Sequence, residues 1–413
     1  MAGRRRLDQV DAMRPIKQAG VVSTHTIIAF APVTAALVSN AALLLLHVSR
    51  EAFFFISACM LTYAYTELNR AGMGRFYWRR FVSVGIPYLC WNVIYFLWFL
   101  FVLRTSSYAS PAAALAHFGR QLELGYDQLY FLIVIMEFYL VFPLVLMLLR
   151  RTKGHHGLVI AAVVAAQFAM SIGMHWKLLP PVVIAYGQEN ALCYVLYLIG
   201  GAVVACHLGD VHDWVVRHVS LVVFGTVASA IFAEGVYFLA RAGVTRGLGW
   251  GSDPFQPSVI PFNVCVIGCG YLAGMFLVRP RRSRRTSWVR AAVRIGSDNA
   301  YGIYLAQMIF ITSLGALGWR AFADWAPFWV WLPLTLAIAY LGSIALTAVL
   351  ARTPLAVPLT GRKQQPWRTL LPRRAPGPAE VPATAPAESG AAGPATPPEP
   401  AALAGATTDQ NGS

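Results

Sequence analysis

The chain is punctuated by apolar runs of about 18 to 25 residues, the length a helix needs to cross a hydrocarbon layer about 30 Å thick. Ten such runs are read from the sequence, at approximately 15–38, 48–68, 82–103, 128–149, 157–174, 190–207, 219–241, 258–279, 299–318 and 328–351. In lipid the backbone must satisfy its own N–H and C=O groups, which at this length of run means helices. The predicted fold class is therefore an all-α integral membrane protein, a bundle of about ten transmembrane helices. The second run is the least regular, because Arg50 and Glu51 interrupt it near its start. Residues 39–49 are read alternatively as an interfacial segment.

Charge agrees with this reading and orients it. Only 12% of the 413 residues are charged and 57% are hydrophobic, against about 25% charged in a soluble domain. The net charge of +15 is not gathered into a nucleic-acid patch but falls in short clusters between apolar runs. With the N-terminus in the cytoplasm, 26 of the 33 Lys and Arg residues fall on the inside, six fall outside, and Arg50 is left within a span. This asymmetry follows the positive-inside rule and predicts both termini cytoplasmic in a multi-pass protein of the cell membrane. Arg4, Arg5 and Arg6 are followed by Arg14 and Lys17, with no small-x-small cleavage site, so the first run is read as a retained span. The expected organisation is a cytoplasmic segment over 1–14, a transmembrane domain over 15–352, and a cytoplasmic tail over 353–413. The tail is Pro/Ala-rich and expected to be disordered after about residue 375.

Without a soluble domain in this reading, chemistry has to come from polar residues inside the bundle, where they are costly and mark function. Arg14 and His25 are eleven positions apart on the first run, about 16 Å of helical rise and within about 20° of the same azimuth. They share a face with Gln18 between them. His25 lies ten residues beyond Pro15, about 15 Å deep, near the midplane. Glu137, Asn92 and Gln307 are expected at a similar level. A histidine beside a carboxylate can serve as a general base, its tautomer fixed and its imidazolium stabilised. Glu137 is the expected carboxylate. Asn92 and Gln307 are read as interhelical hydrogen bonders. The six cysteines lie in or at the ends of apolar runs and are read as packing thiols. No metal site is read from the Cys/His spacing, nor any phosphate loop, nucleophile elbow or dinucleotide fingerprint.

Arg14, ten intervening residues and His25 together resemble the motif of the membrane-bound acyltransferase family 3. The resemblance continues through Phe53-Phe54-Phe55-Ile56-Ser57-Ala58, through Phe76-Tyr77-Trp78-Arg79-Arg80 with Ile86-Pro87-Tyr88, and through Tyr130-Phe131-Leu132 with Glu137-Phe138-Tyr139-Leu140-Val141-Phe142-Pro143. Asn299-Ala300-Tyr301-Gly302-Ile303-Tyr304-Leu305 extends it toward the C-terminus. The Ser49-Arg50-Glu51-Ala52-Phe53 variant is similar to the subgroup of the intercellular-adhesin polysaccharide protein. The resemblance implies an O-acyltransferase moving an acyl group, commonly acetyl, from cytoplasmic acyl-CoA to the hydroxyl of an extracytoplasmic glycan, lipid or metabolite. It implies His25 as catalytic base and Arg14, with Arg75, Arg79 and Arg80, at the donor's phosphates. The rival reading from another class is an exporter of a polysaccharide or lipid-linked intermediate without acyl transfer.

Overall fold

Pro32 ends the first helix. Its missing N–H and the restriction it places on Ala31 stop the helix, and the computed structural model turns there. The structure describes residues 8–65, 68, 70–104, 108–244, 253–278 and 284–367. The tail expected to be disordered after 375, the basic residues at 279–283 and residues 245–252 lie outside the described residues.

Helix α1 (Asp8–Phe30) is followed, after the Pro32 turn and one 3-10 turn, by α2 (Ala36–Leu46) and α3 (Val48–Ala64). Next come α4 (Arg70–Arg80) and α5 (Ile86–Leu97), joined by a π-helical turn, then α6 (Pro111–Leu124), α7 (Tyr130–Arg151) and α8 (His156–His175). The short α9 (Pro181–Ala185) precedes α10 (Val195–Cys206), α11 (Leu208–Arg217) and α12 (Val219–Arg241). The chain continues through α13 (Ile260–Val278), α14 (Arg284–Ala316), α15 (Trp319–Trp325), α16 (Phe328–Leu350) and α17 (Ala356–Thr360). No strand occurs among the described residues.

Among the described residues seven segments are long and apolar enough to cross a membrane as they stand, and two bent helix pairs bring the number to nine. The bends are 98° between α10 and α11 and 77° between α14 and α15. Helix α1 is too polar to count by apolarity, yet its 23 residues rise about 34 Å, a full crossing. With it the bundle reaches about ten. Two boundaries differ from the sequence reading. The first crossing ends at Phe30 rather than at 38, because Pro32 breaks it. The second candidate crossing is Val33–Ala64, which takes in residues 39–49. Arg50 and Glu51 are accommodated there because they pair with each other inside the protein.

Helix α1 can afford its polarity because protein surrounds it. It packs along α3, α13, α14 and α16, and small residues let those neighbours approach closely, as is usual between membrane helices. A Cβ at Gly274 of α13 would stand 2.3 Å from the Gln9 carbonyl oxygen of α1. Two large apolar clusters build most of the bundle among the described residues. One joins α3, α7 and α10 through Phe54, Val134, Phe138, Tyr194 and Leu198. The other joins α1, α5, α14 and α16 through Val22, Ile27, Tyr95, Ile303 and Trp331. Phe131 of α7 packs against both, and the candidate site opens beside it.

Candidate active site

The face of α1 that carries Arg14 and His25 is more polar in three dimensions than the eleven-residue spacing alone suggests. Arg14 Nη2 lies 3.3 Å from Asp11, with the Arg14 side chain one-third exposed. One turn further, Lys17 is buried with its Nζ 3.6 Å above the Phe53 ring, a cation–π contact. Gln18 is wholly buried, and neither end of its amide has a hydrogen-bond partner. His25 follows, five residues before the end of α1 at Phe30, about 8 Å of rise from that end. It therefore sits in the last turns of the helix rather than halfway along it.

The carboxylate that meets His25 is Asp127, with Oδ2 3.7 Å from Nδ1. That separation is an ion-pair distance, a little longer than a hydrogen bond. The neighbouring elements fix where Asp127 stands. Its φ of +39° lies in a region non-glycine residues seldom adopt, and such strain, about 1–3 kcal/mol, persists only where surroundings impose it. Two residues earlier Gly125 has φ +78°, and a Cβ there would come within 2.5 Å of the Tyr130 nitrogen. Asn92 of α5 accepts the Tyr126 N–H at Oδ1, 3.1 Å, and its backbone oxygen accepts Gln121 Nε2 at 2.8 Å. On the other side of Asp127, Gln128 donates to the Tyr95 hydroxyl at 3.0 Å, and the Tyr304 hydroxyl donates to the Gln128 carbonyl. The turn that presents Asp127 is thus held by α5 and α14 at once. Asn92 has the structural role expected of it, and that role serves the site.

His25 lines a cavity of about 40 Å³ with Val21 of α1, Arg50 and Phe53 of α3, Gln128, Tyr130 and Phe131 at the start of α7, and Tyr304 of α14. This is room for about two or three waters, or a group of two or three heavy atoms. Gln128 Oε1 is buried there with no partner. Arg50 is buried and gives its Nε and Nη2 to Glu51 Oε1 at 3.1 and 2.5 Å. Its guanidinium lies over the rings of Tyr194 at 4.8 Å and Phe255 at 5.5 Å.

The remaining expected residues lie apart from His25. Glu137 sits ten residues beyond Asp127 along α7, about 15 Å of rise, and its Oε2 accepts the Ala191 N–H at 2.7 Å. It anchors the turn that leads into α10, and the carboxylate beside His25 is Asp127 instead. His25, five residues from the end of α1, lies too far along its helix to meet Glu137. Asp127 at the start of α7 lies beside the late turns of α1, so these helices run in opposite directions. The ends carrying Arg14 and Arg150–Arg151 therefore share one side of the bundle. Helix α4 reaches the same side, since Asn92, which holds the Asp127 turn, lies twelve residues past Arg80 on one continuous stretch. There Arg75 and Arg79 are exposed. Arg80 is enclosed by Tyr65, Phe76 and Tyr139, with ring centroids 5.2, 5.6 and 5.4 Å from its guanidinium. Gln307 is wholly buried with both amide ends unpartnered.

A second histidine–carboxylate pair joins His175 Nδ1 and Asp253 Oδ2 at 2.5 Å. Burial pushes the Asp253 carboxyl up, but the hydrogen bonds from His175 and the Phe255 N–H and the Arg50 charge outweigh it and hold the group below its ordinary value. Among the described residues no group of three or more His, Cys, Asp or Glu side chains is arranged to hold a metal ion.

The sequence reading did not bring Asp127, Lys17 and Gln128 to this site, nor Arg50 to the cavity beside His25. Two signals were present. Gly125-Tyr126-Asp127 is a turn chemistry pattern at the head of an apolar run, and Arg50-Glu51 is a complementary pair of charges within one.

Fold and site together define a polytopic helical membrane protein in which a carboxylate-paired histidine closes a cationic stripe on a protein-enclosed helix. A family model described as an acyltransferase domain matches residues 7–348. The chain belongs to the membrane-bound acyltransferase family 3 and is a membrane acyltransferase. No curated protein and no solved structure matches it.

Proposed function

We propose that this acyltransferase moves a short acyl group, acetyl above all, from acyl-CoA to a hydroxyl of a glycan, lipid or metabolite on the far side of the cell membrane. The observation that carries the reading is the α1 face: cations at one end, and at the other His25 oriented by Asp127 in a cavity of about 40 Å³. Both termini are cytoplasmic in this reading, so the donor's phosphates meet Arg14 and the exposed Arg75 and Arg79, with Arg80 buttressing that mouth. The pantetheine arm then spans about 16 Å between Arg14 and His25, and the thioester arrives beside His25. The small cavity favours an acetyl group over a long chain.

Asp127 faces Nδ1 and so favours the tautomer with the proton there, leaving the Nε2 lone pair for the acceptor. Nε2 takes the acceptor O–H proton as the oxygen bonds to the thioester carbon. Collapse breaks the C–S bond, and the departing thiolate takes the proton from the imidazolium. Transfer is direct, from donor to acceptor. In this reading Glu137 holds the Ala191 turn and takes no part in the proton transfer.

His25→Ala tests the reading. The expected result is loss of alkali-labile acetyl from cell-surface material with the polymer still exported. Normal O-acyl content combined with failed export establishes the exporter reading in its place.

A further inference from the structure

The cavity beside His25 contains one permanent cation, and base catalysis gives it no task. Arg50 is buried on α3. A guanidinium has five N–H donors, of which Glu51 Oε1 takes two. Tyr130, which shares the cavity wall, also meets the Arg50 guanidinium. The rings of Tyr194 and Phe255 fix its plane. A buried ion pair is a poor stabilising device, because desolving both charges offsets their attraction. Held rigidly in the wall of a reaction cavity, such a cation has a chemical use.

Addition of a hydroxyl to a thioester moves the carbonyl π pair onto oxygen. A preorganised donor aimed at that oxygen lowers the barrier more than any other single device. Nearby, the Tyr304 hydroxyl donates to the Gln128 carbonyl and Gln128 Nε2 donates to Tyr95, while the unpartnered Gln128 Oε1 can only accept. Lys17 is committed to the Phe53 ring.

We propose that Arg50 is a catalytic residue that donates N–H to the thioester carbonyl oxygen and stabilises the oxyanion of the tetrahedral intermediate; this rests on the acyl-transfer reading above. The bond order balances without further reagents. The acceptor oxygen forms the new C–O bond while His25 takes its proton, and the oxyanion accepts hydrogen bonds from Arg50. The C=O bond re-forms, the C–S bond breaks, and the thiolate leaves with the His25 proton. Arg50 keeps its own protons throughout. Glu51 is a positioning residue that sets the plane of the guanidinium.

The test uses vesicles carrying the full chain, radiolabelled acetyl-CoA and the membrane's own acceptor, with initial rates read as alkali-labile label. The double variant Arg50→Gln/Glu51→Gln keeps a hydrogen-bonding pair without charge, and Arg50→Lys restores the charge on a pair that still folds. The double variant is expected to lose about 10²–10³-fold in kcat with CoA affinity unchanged by calorimetry, and Arg50→Lys to recover most of that loss. A double variant within about fivefold of the wild-type kcat, or a loss confined to KM, overturns the assignment. Equal labelling by wild type and His25→Ala overturns the acyl-transfer reading, and this inference with it. Loss in His25→Ala alone overturns only this inference.

Discussion

Asp127→Asn isolates the electrostatic part of the His25 arrangement, because the amide keeps the shape of the side chain and removes its charge. At 3.7 Å a unit charge pair is worth about 1 kcal/mol in water and about 4 kcal/mol at an effective dielectric of 20. Asp127 is 40% exposed and His25 only 14%, which places the pair between these limits, at about 2 kcal/mol. The imidazolium that forms as His25 takes the acceptor proton loses this stabilisation, so kcat should fall about 30-fold. The KM for acetyl-CoA should stay constant, since the proposed reading puts the donor's phosphates at Arg14, about 16 Å away. The assay is the initial rate of alkali-labile acetyl incorporation in membrane vesicles at several donor concentrations. Glu137→Gln is the matched control and should leave kcat nearly unchanged, because that carboxylate serves the Ala191 turn. The reasoning is refuted if Asp127→Asn keeps most of its activity, or if Glu137→Gln is the more damaging of the two.

Three further outcomes follow from the packing around the site. Asn92→Ala removes the acceptor of the Tyr126 N–H and should cost about 1–3 kcal/mol, seen as a lower thermal midpoint together with a drop in acyl transfer as Asp127 loosens. Gly274→Ala drives a Cβ against the Gln9 carbonyl and should destabilise by about 1–3 kcal/mol, whereas Gly235→Ala, with open space around it, should leave the midpoint unchanged. Asp253 is held below its ordinary carboxylate value, so its contribution is complete above about pH 5 and is lost as pH falls through the lower folded value. Thermal midpoints measured from neutral to acid pH should show that loss below about pH 4, and Asp253→Asn should flatten it.

Much of the architecture is legible because lipid imposes it. Run length and apolarity locate nearly every crossing, since a backbone in hydrocarbon has few solutions. The departures come where a helix is shielded by protein. Helix α1 fails the apolarity criterion because its surroundings are α3, α13, α14 and α16 rather than lipid, and the Pro32 turn was hidden inside what looked like one apolar run. The stripe from Arg14 to His25 is legible for a similar reason, since both residues lie on one helix and the helical period sets their relation. Lys17 belongs to that stripe, yet its burial against Phe53 depends on α3.

Partners across helices are a different matter. By itself the sequence determined a bundle of membrane helices and a polar face on the first of them, because both depend on local period and on solvent. Only the tertiary structure decided that Asp127 rather than Glu137 meets His25. That choice depends on the relative depth of α1 and α7, set by the Pro32 break and by hydrogen bonds from Asn92, Tyr95 and Tyr304. The same long-range packing turned Arg50 from an interruption in an apolar run into the cation facing the cavity beside His25.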